Sequence, residues 1–600
     1  MTRGKEMKTH LKKMAILARP GPGFMGSVLL ALMVTISPIH AGWLVEDQKL
    51  ESTDVVIDES PWEFDGFFAR SFPQSISGNT AAVLNRNDET AYIFVRNGTS
   101  WEEQAKLRSG EDYFSSSIAI YGDRVVLGAS GNGKAYLFER NGAAWTEQPS
   151  LELPITDQGQ YDQFGGFVAI SDNTVVVTAE EVDGDGRVAY LYTRNGATWS
   201  EPVRLDDIGS IRISGDTVVV GQNSSNTVYI RNGTDWSEQA SLMGGNVAIS
   251  GDTIVVLEPP LESHLSVMEE WVIHIFTRSG STWSEQDTLT KKLYPRVDGF
   301  GSSLAVYGDT FMVGDPGEGD TPTIGRVNVF TRSGSTWSEQ TTLRAAEELY
   351  GDGFGNSVSI DGDTVVVGSH GNRAYMSSAY VFDLACDATY SLLSNQWRQI
   401  SLPCDPGAND SVTSVFGDDI PGTYGVDWSV YRYDANGYVA LTAIESLSQG
   451  VGYWVIQKSG DDRTLDMPDN SIPTPVNSTK SEWDPIACLD LDAPKGCFEI
   501  PLVTKTNAIK WNLIGYPFVS TVELGDARIQ TESGACASES GCDLNAAHSQ
   551  GIIHNQLWTY NGAGYTKVDT SGNLEPWKAY WAATLDQADG SNPKLLLPKP

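Results

Sequence analysis

The fold is decided by a stretch that begins Phe300-Gly301-Ser302-Ser303-Leu304-Ala305-Val306-Tyr307-Gly308-Asp309-Thr310-Phe311-Met312-Val313-Gly314. After a variable segment it resumes as Arg326-Val327-Asn328-Val329-Phe330-Thr331-Arg332-Ser333-Gly334-Ser335-Thr336-Trp337-Ser338-Glu339-Gln340. Apolar residues alternate through each run, the pattern of strands in a sheet. Gly308-Asp309 and Ser333-Gly334 each separate two such runs, and glycine permits the positive φ that a tight hairpin turn needs. Four strands, two tight turns and one variable loop make a four-stranded antiparallel meander, the unit of a propeller blade.

The unit recurs along the chain. Trp101, Trp145, Trp199, Trp236, Trp283 and Trp337 each follow an Arg-Asn-Gly or Arg-Ser-Gly turn, and Phe164-Gly165, Phe300-Gly301 and Phe354-Gly355 mark first strands. Six units are complete. A seventh begins at Phe354 and stops at Val381-Phe382-Asp383-Leu384, without its tryptophan strand. Trp43-Leu44-Val45-Glu46-Asp47-Gln48-Lys49-Leu50 matches Trp101-Glu102-Glu103-Gln104-Ala105-Lys106-Leu107 with one extra residue, and no unit precedes it. The expectation is an all-β protein: a seven-bladed β-propeller over 42–385, closed when this N-terminal strand pairs with the seventh blade. Closure removes the exposed edge that an open stack of sheets would present. The tryptophans are expected to pack between blades rather than to serve as ligand platforms.

These units resemble the FG-GAP repeats of integrin α-subunit propellers and of many bacterial surface proteins, over about residues 43–384. The resemblance implies calcium loops of the form Asp-x-Asp-x-Asp-Gly, since a hard cation needs several oxygens converging in one turn. The nearest match is Glu180-Glu181-Val182-Asp183-Gly184-Asp185-Gly186-Arg187. Asp183 and Asp185 are the candidate calcium ligands, one aspartate short of the family pattern and with Arg187 as a repulsive neighbour. Asp315-Pro316-Gly317-Glu318-Gly319-Asp320 is a looser match. Turn chemistry alone also accounts for both loops. Usual propeller geometry would gather Asp183, Asp185, Glu258 to Glu270, Asp315 to Asp320 and His370 to Ser377 on one rim, where recognition tends to sit.

A different pattern, also duplicated, follows residue 385. Trp397-Arg398-Gln399-Ile400-Ser401-Leu402-Pro403 parallels Trp511-Asn512-Leu513-Ile514-Gly515-Tyr516-Pro517, and Leu447-Ser448-Gln449-Gly450-Val451-Gly452-Tyr453-Trp454 parallels Leu574-Glu575-Pro576-Trp577-Lys578-Ala579-Tyr580-Trp581. The expected organisation is one β-rich module at 386–470, a linker at 471–507 and a second copy at 508–600. Their tryptophans and tyrosines either fill two small cores or stack on sugars, and the recurrence in register favours cores.

All six cysteines, Cys386, Cys404, Cys488, Cys497, Cys536 and Cys542, fall in this last third. Sequence neighbours suggest Cys386–Cys404, Cys488–Cys497 and Cys536–Cys542, although six cysteines allow fifteen pairings. Cys536, Cys542, His548 and His554 also form a soft donor set suited to zinc, but an oxidising compartment favours a disulfide. Residues 1–41 read as an export signal. Basic residues precede the apolar run Phe24 to Val34, and Ala41 suits the residue before a cut. A retained anchor is the alternative; the run is short for a spanning helix, and no second run of spanning length follows.

Of 600 residues, 77 are acidic and 41 basic, a formal net charge of −36. Such a field repels nucleic acid and anionic membrane. No catalytic motif, phosphate-binding glycine loop or helical metal motif is legible. The expected function is a secreted, surface or periplasmic protein that binds an extracellular protein or polysaccharide. A polysaccharide-acting enzyme and a purely structural matrix component are the alternatives. No cofactor is implied beyond calcium.

Overall fold

The computed structural model describes residues 43–50 and most of 75–599; 1–42, 51–74, 109–116, 155–160, 182–185, 222–224, 261–268, 294–298, 317–324, 346–352, 370–377, 476–496 and several shorter stretches lie outside it. The signal segment and the calcium candidates Asp183 and Asp185 are therefore outside the described residues.

The described chain is all-β, with two short helices. Between Trp43 and Asp383 its strands form seven sheets among the described residues. The second is typical: Ser117–Tyr121, Arg124–Ala129, Lys134–Asn141 and Ala144–Glu152, each antiparallel to the next. The third departs from the pattern. Its outer strand is broken into Thr198–Trp199 and Val203–Leu205 around Pro202, which has no N–H to give a ladder.

Strands such as Thr80–Asn85 and Thr364–Ser369 are buried along their whole length because each sheet is covered on both faces. Along Thr174–Glu181, Val175 and Val177 pack with Val126 and Leu137 of the second sheet, whereas Val176 packs with Val218 and Val220 of the fourth. Alternation thus distributes side chains between two inter-sheet cores. The Phe-Gly pairs have a steric role in this stacking. A Cβ on Gly128 would lie 2.1 Å from the carbonyl oxygen of Gly165, and one on Gly314 would lie 2.0 Å from that of Gly355. Phe164 and Phe354 beside these close approaches are fully buried.

The inner strands succeed one another around the assembly, and Ser357–Asp361 of the seventh sheet lies beside Ser75–Ser77 of the first. The same hydrogen bond recurs between them. Ser77 Oγ accepts from Gly122 N, Ser171 Oγ from Gly215 N, Ser214 Oγ from Gly251 N, and Asp361 accepts from Gly78 N across the seventh-to-first interface.

The N-terminal segment behaves differently from the expectation in one respect. Gln48–Leu50 pairs antiparallel with Ala379–Val381 of the seventh sheet, as predicted. Trp43–Val45, however, runs parallel to Thr342–Arg344 of the sixth. The reason lies at the end of the seventh sheet. The Asp383 N–H is taken by the Asp47 carboxylate at 2.6 Å, and the chain then leaves for the C-terminal region instead of turning back. The strand therefore has no further partner there, and its first half crosses to the neighbouring sheet, where Leu44 is buried with Val327, Leu343 and Phe382.

The C-terminal region holds two four-stranded sheets of matching order. One contains Arg398–Ile400, Tyr453–Gln457, Trp428–Asp434 and Gly437–Ala440; the other contains Lys510–Gly515, Ala579–Thr584, Leu557–Tyr560 and Tyr565–Val568. Even the helices correspond. Val412–Phe416 is capped by Ser411 and Leu544–Ser549 by Asp543, each side chain accepting an N–H three residues on. The segment 471–507 contributes to both halves, with Ile472–Pro473 paired to Cys404–Asp405 and Cys497–Pro501 paired to Lys594–Pro598. The halves are also interleaved. Ser401 N donates to Trp577 O at 3.0 Å, and the equivalent Gly515 N donates to Gly450 O at 2.9 Å. Trp577 belongs to the second half by sequence but is fully buried in the core of the first, with Val412, Phe416 and Leu465.

Cys386–Cys404 and Cys536–Cys542 are disulfides, as the sequence spacing suggested. Cys497 is disulfide-bonded, and Cys488 lies outside the described residues.

Candidate functional site

Every complete sheet has two ends. One carries the tight turns; the other carries the connectors between its second and third strands and the links to the next sheet. The sequence placed recognition on the connector side. Of its candidates there, Asp315 is buried and bonded to Arg326 at 2.8 Å, so this carboxylate is already neutralised. Residues 317–324, 261–268 and 370–377 lie outside the described residues. Glu258 accepts from His274 Nε2 at 3.1 Å, while His274 Nδ1 lies 2.7 Å from Glu285. The Glu285 carboxyl is held below its ordinary value by hydrogen bonds from Thr288 and His274. That arrangement clamps three neighbouring strands of the fifth sheet. Among the described residues no group of three or more His, Cys, Asp or Glu is placed to hold a metal ion.

The tight-turn side carries a girdle of charged clamps. In the second, fourth, fifth and sixth sheets the aspartate of the first turn pairs with the arginine that precedes the second turn: Asp123–Arg140, Asp216–Arg231, Asp252–Arg278 and Asp309–Arg332. The first and third sheets have Asn79 and Asn173 at that aspartate position. There the preceding sheet supplies the acid instead, as Asp383 to Arg96 and Glu139 to Arg194. Arg140, Arg278 and Arg332 also lie over Trp145, Trp283 and Trp337, with 5.4 Å from guanidinium carbon to ring centre in each case.

In the second, fifth and sixth sheets tryptophan links the sheet to the one before it. Trp145 Nε1 donates to Gln104 at 3.1 Å, Trp283 Nε1 to Gln239 at 2.8 Å and Trp337 Nε1 to Gln286 at 3.3 Å. The tryptophans are thus inter-sheet packing residues, as expected. The second-to-third and third-to-fourth interfaces lack the link. Pro202 stands where the third sheet would need glutamine, and Trp236 Nε1 is buried without a partner. Gln148 of the second sheet donates to Thr146 O within its own strand. Beside it a cavity of about 220 Å³ is lined by Arg124, Glu139, Gln148, Arg194 and Trp199, among others. Sequence reading missed this cluster. The signal was present as departures from the repeat: Arg124 for threonine, Glu139 for a neutral residue and Asn173 for aspartate.

In the C-terminal region the aromatic residues form one connected group across the two sheets. Trp454 and Tyr560 rings are 5.3 Å apart, and their counterparts Trp581 and Tyr433 are 4.8 Å apart. Trp454 and Trp581 are buried and Tyr433 and Tyr560 half-buried, so the two tryptophans serve as core. Burial pushes the Tyr565 hydroxyl up to about 12, keeping it neutral at ordinary pH. The histidines of the zinc candidate, His548 and His554, have ring centres 4.9 Å apart with planes tilted by 42°, while Cys536 and Cys542 are bonded to each other.

Residues 337–382 match the FG-GAP repeat family. The chain carries an FG-GAP repeat. The matched FG-GAP repeat runs from the outer strand of the sixth sheet through the third strand of the seventh, so the sequence unit straddles two structural units. No curated protein matches the chain. Among solved structures it is similar to U3-55K, at 11% identity over 50% of this chain and 91% of that one, with a TM-score of 0.34. It is also similar to a functionally unknown protein from Desulfotomaculum acetoxidans, at 12% identity over 44% of this chain and 81% of that one, with a TM-score of 0.31. Neither likeness bears on function.

Proposed function

We propose that the chain is an extracytoplasmic binding or adhesion protein. In this reading residues 43–384 are a seven-bladed FG-GAP propeller of the integrin α-subunit kind, closed by the N-terminal strand. Its connector rim recognises an extracellular protein or polysaccharide without turning it over. The observation that carries the proposal is the completion of the last sheet by Gln48–Leu50. A closed ring holds its connectors in one fixed constellation, and recognition on loops depends on such a scaffold. Two disulfides suit an oxidising compartment, and no described helix is long and apolar enough to cross a membrane.

The test is a pull-down of the full chain on insoluble polysaccharides and immobilised extracellular matrix proteins, with calcium or a chelator. Saturable binding, lost when residues 259–268 are replaced by an Asn-Gly turn, is the expected result. Failure to bind any of these surfaces would favour a structural role, and release of soluble sugar would favour an enzyme.

A further inference from the structure

The interface between the second and third sheets departs from its neighbours in a concerted way. At the start of the second strand the other six sheets carry threonine, at Thr80, Thr174, Thr217, Thr253, Thr310 and Thr364, whereas the second carries Arg124. Those threonines have a use: Arg140 Nη1 donates to Thr80 at 2.9 Å and Arg278 Nη1 to Thr217 at 3.1 Å, each reaching back one sheet. Arg194 has no threonine to reach, because Arg124 occupies its place. It pairs instead with Glu139, which lies directly opposite Arg124 in the strand register.

Glu139 thus pairs with Arg194 while standing opposite Arg124 in the ladder, and the cavity that all three line holds one positive charge in excess. Arg124 Nη1 is buried with no hydrogen-bond partner. A charged donor left in that condition is costly to keep unless an acceptor comes from elsewhere. Water alone would be a weak reason to place a cation there, in a chain whose net charge is −36. Trp199 supplies an apolar wall, and Gln148, whose amide donates to Thr146 O, adds a polar group to the lining.

We infer that this cleft binds a single carboxylate carried on a small, partly apolar body, with Arg124 holding the anion and Trp199 flanking the body. The volume of about 220 Å³ lies below that of drug-sized pockets and suits one small group. Two sources share this chemistry: a uronic acid residue of an acidic polysaccharide and a free small carboxylic acid. The site lies on the tight-turn side, away from the connector rim, so it does not depend on which ligand that rim takes.

Calorimetric titration of the full chain tests this with glucuronate-containing oligosaccharide, acetate and a neutral glucose oligomer as probes. The key variant is Arg124→Thr, which installs the residue found in the other sheets and leaves the melting temperature equal or higher. Binding of the glucuronate probe, weakened at least tenfold by Arg124→Thr, supports the site and assigns it to polysaccharide. Acetate binding as tightly, with the same loss, supports the site and assigns it to free acids. Binding of neither anion, equal binding by the variant, or equal binding of the neutral oligomer overturns the proposal. Each titration is run in the chain that carries the loop replacement at 259–268, so that polysaccharide binding by the rim does not contribute to any of these results.

Discussion

Gln48 Nε2 donates to the carbonyl oxygen of Trp101 at 2.8 Å, and Gln48 Oε1 accepts the Trp101 N–H at 2.7 Å. Gln48 stands opposite Val381, the register position that Asp287 holds opposite Ile275 in the fifth sheet, where the Asp287 carboxylate takes the Trp337 N–H at 2.8 Å. Gln104 reaches Trp145 of the next sheet, and Gln48 likewise reaches from the seventh sheet to the first. Leu50 buries its side chain in the same interface, with Val381 on one side and Trp101 on the other. Two more contacts cross there, Asp361 to Gly78 N and Arg96 to Asp383. The seventh-to-first contact is thus made with the devices that join the other sheets.

Trp236 has an orphaned indole N–H because Pro202 replaces the expected glutamine. Pro202→Gln restores a side-chain acceptor and a backbone N–H at once. The expected outcome is a gain of about 1 kcal/mol, from a hydrogen bond that also relieves a buried unpaired donor. Urea denaturation at unchanged m-value checks it.

Arg96 depends on Asp383 because its own turn offers Asn79. Asp383→Asn should therefore destabilise by about 1 kcal/mol, the range for a partly exposed ion pair. Adding Asn79→Asp recreates the clamp of the second sheet and should recover most of the loss. A double-mutant cycle in denaturant measures the coupling, which exceeds zero only if the two acids serve one arginine.

Much of the series of antiparallel sheets was legible because each sheet repeats its turn and tryptophan chemistry, so one well-read unit located the others. The neighbour disulfides Cys386–Cys404 and Cys536–Cys542 and the duplication after residue 385 were legible for the same local reason. The split of Trp43 to Leu50 was not, since it follows from Asp47 capping Asp383, a contact between residues 336 apart. The exchange of Trp577 into the other half's core was also hidden, because a repeat alignment pairs it with Gly450 and says nothing of which core each faces. At Gly450 a Cβ would lie 2.7 Å from Phe498, so the two equivalent positions have diverged in size to fit different cores. The Arg124 cleft was visible only as a set of exceptions, whose meaning required the inter-sheet geometry.

Trp577 is fully buried, with its indole N–H on Ala388 O at 2.9 Å, and it takes a positive φ of 61° that bulky residues rarely adopt. Trp577→Ala should cost about 3–5 kcal/mol, the range for emptying an aromatic core site. Because the side chain comes from one half and the cavity from the other, both halves should lose cooperativity together. Near-ultraviolet circular dichroism and hydrogen exchange over 398–457 and 510–584 would report it.

Asp419 gives a pH dependence of definite sign. Burial raises its carboxyl from the ordinary 3.8 to about 6, opposed by the Asp466 N–H and reinforced by the charges of Asp466 and Asp418. The unfolded chain loses this proton first, so the group's contribution to stability is present below about pH 4 and declines until about pH 6. Asp419→Asn mimics the protonated form. The stability of the variant minus that of the native chain should rise from near zero at pH 4 to a plateau above pH 6, measured by denaturant titration across that window.

Hydrogen–deuterium exchange on the full chain tests ring closure most directly. Closure predicts that amides in Gln48–Leu50 and Ser378–Asp383 exchange as slowly as those of the interior strand Thr364–Ser369. Deleting residues 43–50 should then accelerate exchange across Ser378–Asp383. Rapid exchange at Gln48–Leu50 in the intact chain, with Ser378–Asp383 indifferent to the deletion, would contradict the account.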